Sequence, residues 1–198
     1  MSKLIFQGHG SYKIVTNNDY VIYVDPFIPS DYSEVADLIL VTHEHQDHNQ
    51  VDLVNQNLDT VIIRAKDMNI NGEAYLKKYI EGIEIEAVEA YNKNHKKEEC
   101  VGYILRFDNL TIYCSGDTSL TNDMQTKIPT YNVDYCLLPI DGIYNMDPKE
   151  ASICADYIKA KHTIPIHMKP YDKFNMECAL KFEHPSRLIV EPDKEIIL

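Results

Sequence analysis

Four residues able to hold a metal ion stand within six positions of one another: His43, His45, Asp47 and His48, in "VTHEHQDHNQ" (41–50). On an α-helix, residues two apart point roughly 200° away from each other, so His43 and His45 could not converge on one ion. In a turn following a strand they can, and "DLILVT" reads as a strand that ends where the histidines begin. That is where α/β folds gather their ligands. Imidazole and carboxylate without thiolate suit Zn²⁺, Mn²⁺, Fe or Ni. Four ligands packed this closely do not easily share one ion that keeps an open position. Two adjacent ions are the natural alternative, and they require further ligands.

Three later positions have the same setting. His95, in "YNKNHKKEE", follows an alternating strand at 83–88. Asp117, in "TIYCSGDTS", follows a strand and a glycine that lets the backbone turn closely. His167 ends "TIPIH". Taken singly, each has an ordinary reading as a solvated loop histidine, a turn aspartate or a buried neutral histidine. Together they all lie just past the C-terminal end of an expected strand, which sets them apart as a group.

The elements that must position them follow from apolar runs. Strands are expected at 3–6, 20–24, 38–41, 60–63, 83–88, 102–107, 111–114, 135–140, 163–167, 188–190 and 195–198. Several are continuously apolar, as strands covered on both faces are. Asp108-Asn109 reads as a hairpin turn. The clearest helix starts in "MDPKEASICADYIKAK", with Asp147 as N-cap, Pro148 at N1 and Glu150 completing a capping box. Ile153, Tyr157 and Ile158 would share its apolar face. Weaker helical patterns cover 50–57, 73–80 and 175–183. Strands interleaved with helices make this an α/β layered protein, a single domain over 1–198.

Composition narrows the function. The chain has 198 residues, 44% hydrophobic and 25% charged, which is ordinary for a globular protein. A net charge of −12 argues against a protein that grips long nucleic acids, which requires Lys and Arg against phosphates. The five cysteines (100, 114, 136, 154 and 178) include no C-x-x-C, so they suggest buried thiols and not a disulfide framework or thiolate site. "MSKLIFQGHG" lacks a signal-peptide core, and no apolar stretch approaches the roughly 20 residues of a membrane span. A soluble cytoplasmic protein acting on a small molecule, with neither nucleic acid nor membrane as partner, is the simplest reading.

The order H-x-H-x-D-H, a single His, an Asp in "SGDT" and a His in "IPIH" resembles the metallo-β-lactamase superfamily. The chain is most similar to its short single-domain metal-dependent hydrolases, through "GHGSYKI" (8–14), "VDPF" (24–27), "HKKEECVGYILRFDNLTIYCSGDT" (95–118) and "LLPIDGIYNMDPKEA" (137–151). The resemblance implies a four-layer αββα sandwich, two mixed β-sheets face to face with helices outside. It implies two divalent ions, zinc foremost and Mn, Fe or Ni as alternatives. His43, His45 and His95 would hold the first, Asp47, His48 and His167 the second, and Asp117 would bridge them. A hydroxide bridging the metals would attack a small, anionic ester, lactone or phosphodiester. Two carboxylates against two divalent ions and one hydroxide leave the pocket at about +1, which draws anions.

Further roles implied by the resemblance are His9 as substrate contact or proton donor, Asp25 as a carboxylate behind a ligand histidine, and Tyr144 as a residue reaching the pocket. With Asp47 these are the candidate catalytic residues and their support. Lys93, Lys96 and Lys97 read as a solvated loop, and Glu44 and Gln46 as pointing away from the metals. Asp141 departs from the resemblance, standing where a small residue is common. A mononuclear iron oxidoreductase on the same ligands and a non-catalytic metal-binding module are the alternative readings.

Overall fold

Continuous apolar runs become strands covered on both faces, and their common direction brings the chemistry to one edge. The computed structural model describes residues 1–27 and 29–198. Along the chain come β1 (Lys3–Gly8), β2 (Ser11–Val15), β3 (Val21–Val24), β4 (Leu38–Val41) and β5 (Val61–Arg64). Then follow β6 (Asn69–Ile70), β7 (Ala74–Tyr75), β8 (Lys77–Ile80), β9 (Ile83–Val88), β10 (Gly102–Phe107) and β11 (Leu110–Cys114). The last part holds α1 (Asn122–Thr126), β12 (Tyr135–Pro139), α2 (Pro148–Ile158), β13 (His162–Ile166), α3 (Met176–Lys181) and β14 (Glu195–Ile197).

Two six-stranded sheets result, ordered β14-β1-β2-β3-β4-β5 and β13-β12-β11-β10-β9-β8. Each is mixed: β3, β4 and β5 are parallel, as are β11, β12 and β13, and the other neighbours are antiparallel. In consequence β1, β3 and β4 run one way in the first sheet, and β9, β11, β12 and β13 share a direction in the second.

Between the sheets Leu4, Phe6, Ile14, Ile22, Leu38 and Leu40 meet Ile85, Tyr103, Leu105, Ile112, Leu137 and Ile164. The outer face of the second sheet (Ile104, Tyr113, Cys136, Leu138) lies under Met124 of α1 and Ala151, Cys154, Ala155 and Ile158 of α2. The outer face of the first sheet has a thinner cover, Tyr32 and Ala36 with Val51 and Val54 beside the 3₁₀ turn Val51–Leu53. The architecture is the αββα sandwich, with the outer layer over the first sheet reduced to loop and a 3₁₀ turn. Among the described residues no helix is long and apolar enough to cross a membrane.

Several local expectations need correcting. Residues 73–80 are not helical but form β7 and β8, and β8 carries Lys77 and Lys78 along a sheet edge, a charge placement that discourages pairing with another chain. The 50–57 segment shortens to the 3₁₀ turn, and 188–190 holds no strand, only an isolated bridge from Arg187 to Thr163. β2 and α1 went unforeseen, because Lys13 interrupts the apolar run of the first and five residues give too little periodicity for the second.

In α2 the buried face is Ala151, Cys154, Ala155 and Ile158, while Ile153 and Tyr157 are 44% and 41% exposed. Small side chains let this helix approach the sheet closely. Asp147 does cap it, accepting from the Glu150 N–H at 2.8 Å, but the Glu150 carboxylate reaches to the Leu120 N–H instead of closing the box. The 175–183 pattern becomes α3, capped by Asn175. Asp108 and Asn109 have φ +49° and +61°, as a two-residue I′ hairpin requires.

Candidate metal centre

The chain leaves β1, β3 and β13 by tight left-handed turns that aim side chains into the shared edge. His9, Asp25 and His167 have φ +56°, +48° and +44°, a region costly for non-glycine residues and concentrated at functional sites. The His167 N–H donates to the His9 carbonyl at 2.7 Å, stitching the ends of β13 and β1 together. Buried Tyr103 donates its hydroxyl to the Val41 carbonyl at 2.9 Å, fixing the end of β4 just before the histidine run. At Gly116 (φ +63°) a Cβ would come within 2.9 Å of the Thr42 Cβ, so glycine permits the approach of these two strand ends.

Two groups of donors face each other at this edge. His43, His45 and His95 each bring a ligand atom within 4.8 Å of the others, and so do His9, Asp47, His48 and His167; His43 and His48 also form such a group with Asp117, where the two sets adjoin. Asp117 stands between them. Its Oδ1 is 3.4 Å from His48 Nε2, and its Oδ2 is 3.4 Å from both His95 Nε2 and His167 Nε2. All seven residues expected as ligands therefore meet here, joined by His9, whose Nε2 lies 3.2 Å from Asp47 Oδ2.

The inward atoms fit a cation. His43 Nε2, His48 Nε2, His167 Nε2 and Asp117 Oδ1 are buried without a hydrogen-bond partner among the described residues. Leaving such groups unpaired costs about 1–3 kcal/mol each, so four in one spot mark a place built for something that accepts their lone pairs. Their outer nitrogens are occupied instead. His48 Nδ1 is 2.9 Å from Asp25 Oδ2, His95 Nδ1 is 2.9 Å from Asn92 Oδ1 and His43 Nδ1 is 3.1 Å from Thr42 Oγ1. Asp141 Oδ2 stands 2.9 Å from His167 Nδ1, at ion-pair distance though too bent for a straight hydrogen bond.

Charge follows this geometry. Burial pushes His43 and His95 below the ordinary imidazole range. Burial also opposes charge on His48 and His167, but Asp117 with Asp25 lifts the former well up, and Asp117 with Asp141 holds the latter at about 9. Asp47 and Asp117 are held well below the usual carboxylate range, because surrounding histidines outweigh the burial that would raise them. The carboxylates are thus poised as anions, as ligands must be.

The mouth is a cavity of about 670 Å³ whose walls include Phe27, Tyr144 and Tyr171. Tyr144 is 43% exposed, with its backbone pinned by Asp141, Asn92 and Asn94. Glu44 and Gln46 line this mouth as well, against the expectation that they point away, although Glu44 is also paired with Arg64 at 2.8 Å. A larger open groove of about 980 Å³ adjoins at Phe27 and Gln46 but contains none of the site histidines. The lysine loop is ion-paired, Lys96 with Glu99 at 2.7 Å and Lys97 with Glu89 at 2.6 Å. Sequence reasoning gave no role to Asp141, Thr42 or Asn92. Asp141 carried a usable signal, since it too stands just past a strand end, that of β12.

Comparison with known proteins agrees with this geometry. Residues 3–167 match the family described as the beta-lactamase superfamily domain. A metal-dependent hydrolase of Methanoculleus marisnigri is 30% identical over 192 aligned residues, covering 87% of this chain and 82% of its own. A solved structure described as a metal-dependent hydrolase of Parabacteroides distasonis superposes with TM-score 0.75 at 30% identity, covering 96% of this chain and 92% of that one. Another, described as a Zn-dependent hydrolase from Thermotoga maritima, gives TM-score 0.68 at 25% identity, covering 92% and 84%. The seven donors gathered at one sandwich edge and the match along most of the chain lead to the same conclusion: the protein belongs to the metallo-β-lactamase superfamily and is a metal-dependent hydrolase.

Proposed function

We propose that the centre holds two divalent ions, zinc foremost, and hydrolyses a small ester, lactone or phosphodiester. The observation that carries this reading is the arrangement of donors in two groups with Asp117 between them and unpaired ring nitrogens facing inward. His43, His45 and His95 would hold one ion, Asp47, His48 and His167 the other. A mononuclear iron oxidoreductase would need only one group, and a passive metal store would not need a cavity beside them.

Bound divalent ions supply Lewis acidity and a water activated near neutral pH. The chain's own residues supply the rest. The Asp47 carboxylate, partly open to the cavity and held well below the usual range, would hold one ion and keep His9 in place beside it. The His9 Nδ1–H donates to the Asp172 carbonyl at 3.3 Å, which leaves Nε2, 3.2 Å from Asp47 Oδ2, to take a proton from the incoming nucleophile and return it to the leaving group. Phe27, Tyr144 and Tyr171 line one wall and offer planar apolar surface to the substrate. No Lys or Arg lines this cavity among the described residues, while Lys66 and Lys96 line a smaller one that also borders His43, His45 and His95, so the bound ions would supply most of the attraction for an anionic substrate. The five unpaired cysteines suit a reducing compartment such as the cytoplasm.

The test is metal-reconstituted protein assayed on a mixed panel of phosphodiesters, lactones and thioesters, with elemental analysis alongside. Two ions per chain and turnover of at least one class are expected. Asp47→Asn should lose at least about 100-fold in kcat/KM, since losing even a partner behind a ligand costs about 10- to 100-fold and Asp47 is itself a proposed ligand. Full activity in that variant, or an inert zinc-replete protein across the panel, would contradict the reading.

A further inference from the structure

The two donor groups are backed differently. In one group the outer nitrogens meet neutral oxygens, Thr42 Oγ1 for His43 and Asn92 Oδ1 for His95, and His45 is exposed. In the other they face carboxylates at 2.9 Å, Asp25 hydrogen-bonded to His48 and Asp141 at ion-pair distance from His167. Both carboxylates are buried and fixed independently of the histidines. Asp25 accepts from the Thr42 N–H at 2.7 Å and the Thr42 hydroxyl at 2.6 Å. Asp141 accepts from the Ile143 and Tyr144 N–H groups through Oδ1, both at 2.6 Å, and from Asn145 Nδ2 through Oδ2 at 2.8 Å. Neither carboxylate needs the histidine to satisfy it, so both are preorganised.

The second group also owns a carboxylate ligand, Asp47, and a fourth donor, His9, whereas the first has imidazoles only apart from the shared Asp117. A carboxylate behind a ligand histidine fixes its tautomer and raises its basicity, and losing one costs 10- to 100-fold in metal affinity.

We infer that the two ion positions are unequal: the position at Asp47, His48 and His167 fills first and holds its ion more tightly. Asp141 is the positioning residue that, with Asp25, sets this order. The inference rests on the two-ion reading of the proposed function, and its test separates the two.

Metal-stripped protein is titrated with Co²⁺ against a competing chelator, followed by visible absorption and by hyperfine-shifted imidazole N–H resonances. Two steps are expected, the first at least about tenfold tighter and retained in His45→Ala. The first equivalent should show shifted N–H signals from the two carboxylate-backed rings. Asp141→Asn, which keeps Oδ1 for the loop N–H groups, should weaken the first step about 10- to 100-fold, alter one of those two signals and leave the second step unchanged. Asp25→Asn should weaken the same step. Should Asp141→Asn not fold, wild type and His45→Ala decide the matter through the N–H signals.

Equal steps, loss of the first step in His45→Ala, or equal weakening of both steps by Asp141→Asn would overturn the order. A single step that survives His45→Ala upholds the order while ending the two-ion reading, and a single step lost in that variant overturns both. Hydrolysis of the substrate panel is scored separately and bears only on the function.

Discussion

Gly116 shows how closely individual residues are fitted around this centre. Its absent Cβ leaves room for Thr42, and Thr42 in turn donates to Asp25, which sits behind His48. Gly116→Ala would force a left-handed alanine against that side chain. The strain and the clash together should cost about 2–4 kcal/mol. Denaturant unfolding of the metal-free protein measures this, and an unchanged midpoint would show that the contact is not tight. At this scale the sequence was informative about donors and silent about their partners. His43, His45, Asp47 and His48 announce themselves by spacing, and His95, Asp117 and His167 by their place after strands. His95 meets Asn92 three residues away in the same loop, but that His167 meets Asp141 depends on how the loop after β12 turns beside the end of β13. No local pattern encodes that.

Between elements, Glu86 on β9 ties strand to strand and sheet to helix. Its carboxylate meets Arg106 and Lys77 at 3.0 Å, Lys127 at 2.9 Å and the Tyr131 hydroxyl at 2.8 Å, while Arg106 stacks 4.2 Å above the Tyr131 ring. Burial would raise this carboxyl, but the surrounding donors win and hold it at about 2. A carboxyl lowered from its ordinary value contributes stability above that value and loses it as pH falls. The contribution should therefore be complete above about pH 4.5 and fade between there and pH 2. Glu86→Gln should destabilise the protein by about 2 kcal/mol at pH 7, with the gap to wild type closing toward pH 3 in thermal melts. A gap that stays constant with pH would refute the ionic account. Elements with continuous apolar runs were legible in the sequence because burial on both faces writes an unbroken pattern. Residues 73–80 misled because tyrosines and lysines at mixed spacing satisfy a helical template while lying on a half-exposed edge strand. The face of α2 misled for another reason, since apart from Ile158 its contact surface is made of alanines and a cysteine, while Ile153 and Tyr157 face outward.

For the whole molecule, the site is assembled from residues 9 to 167 and from both sheets, so its integrity and the fold's are coupled. Ions that bind only the native state stabilise it by about 4 kcal/mol when present at a thousand times their dissociation constant. For a chain of 198 residues that corresponds to about 10 °C in Tm, which a chelator should remove and added zinc restore. A Tm indifferent to chelation would mean that the donors hold no ion in the purified protein. The layered α/β class and the place of each donor just past a strand end were readable from the pattern of strands and helices, while their gathering at one edge came from the family resemblance. The thin cover over the first sheet was not readable, since a loop and a 3₁₀ turn carry no periodic signal. The most direct test of the two-ion centre is anomalous diffraction from a zinc-loaded crystal. Two peaks are predicted, one among His43, His45 and His95 and one among Asp47, His48 and His167, with Asp117 between them. A single peak, or peaks away from these residues, would contradict it.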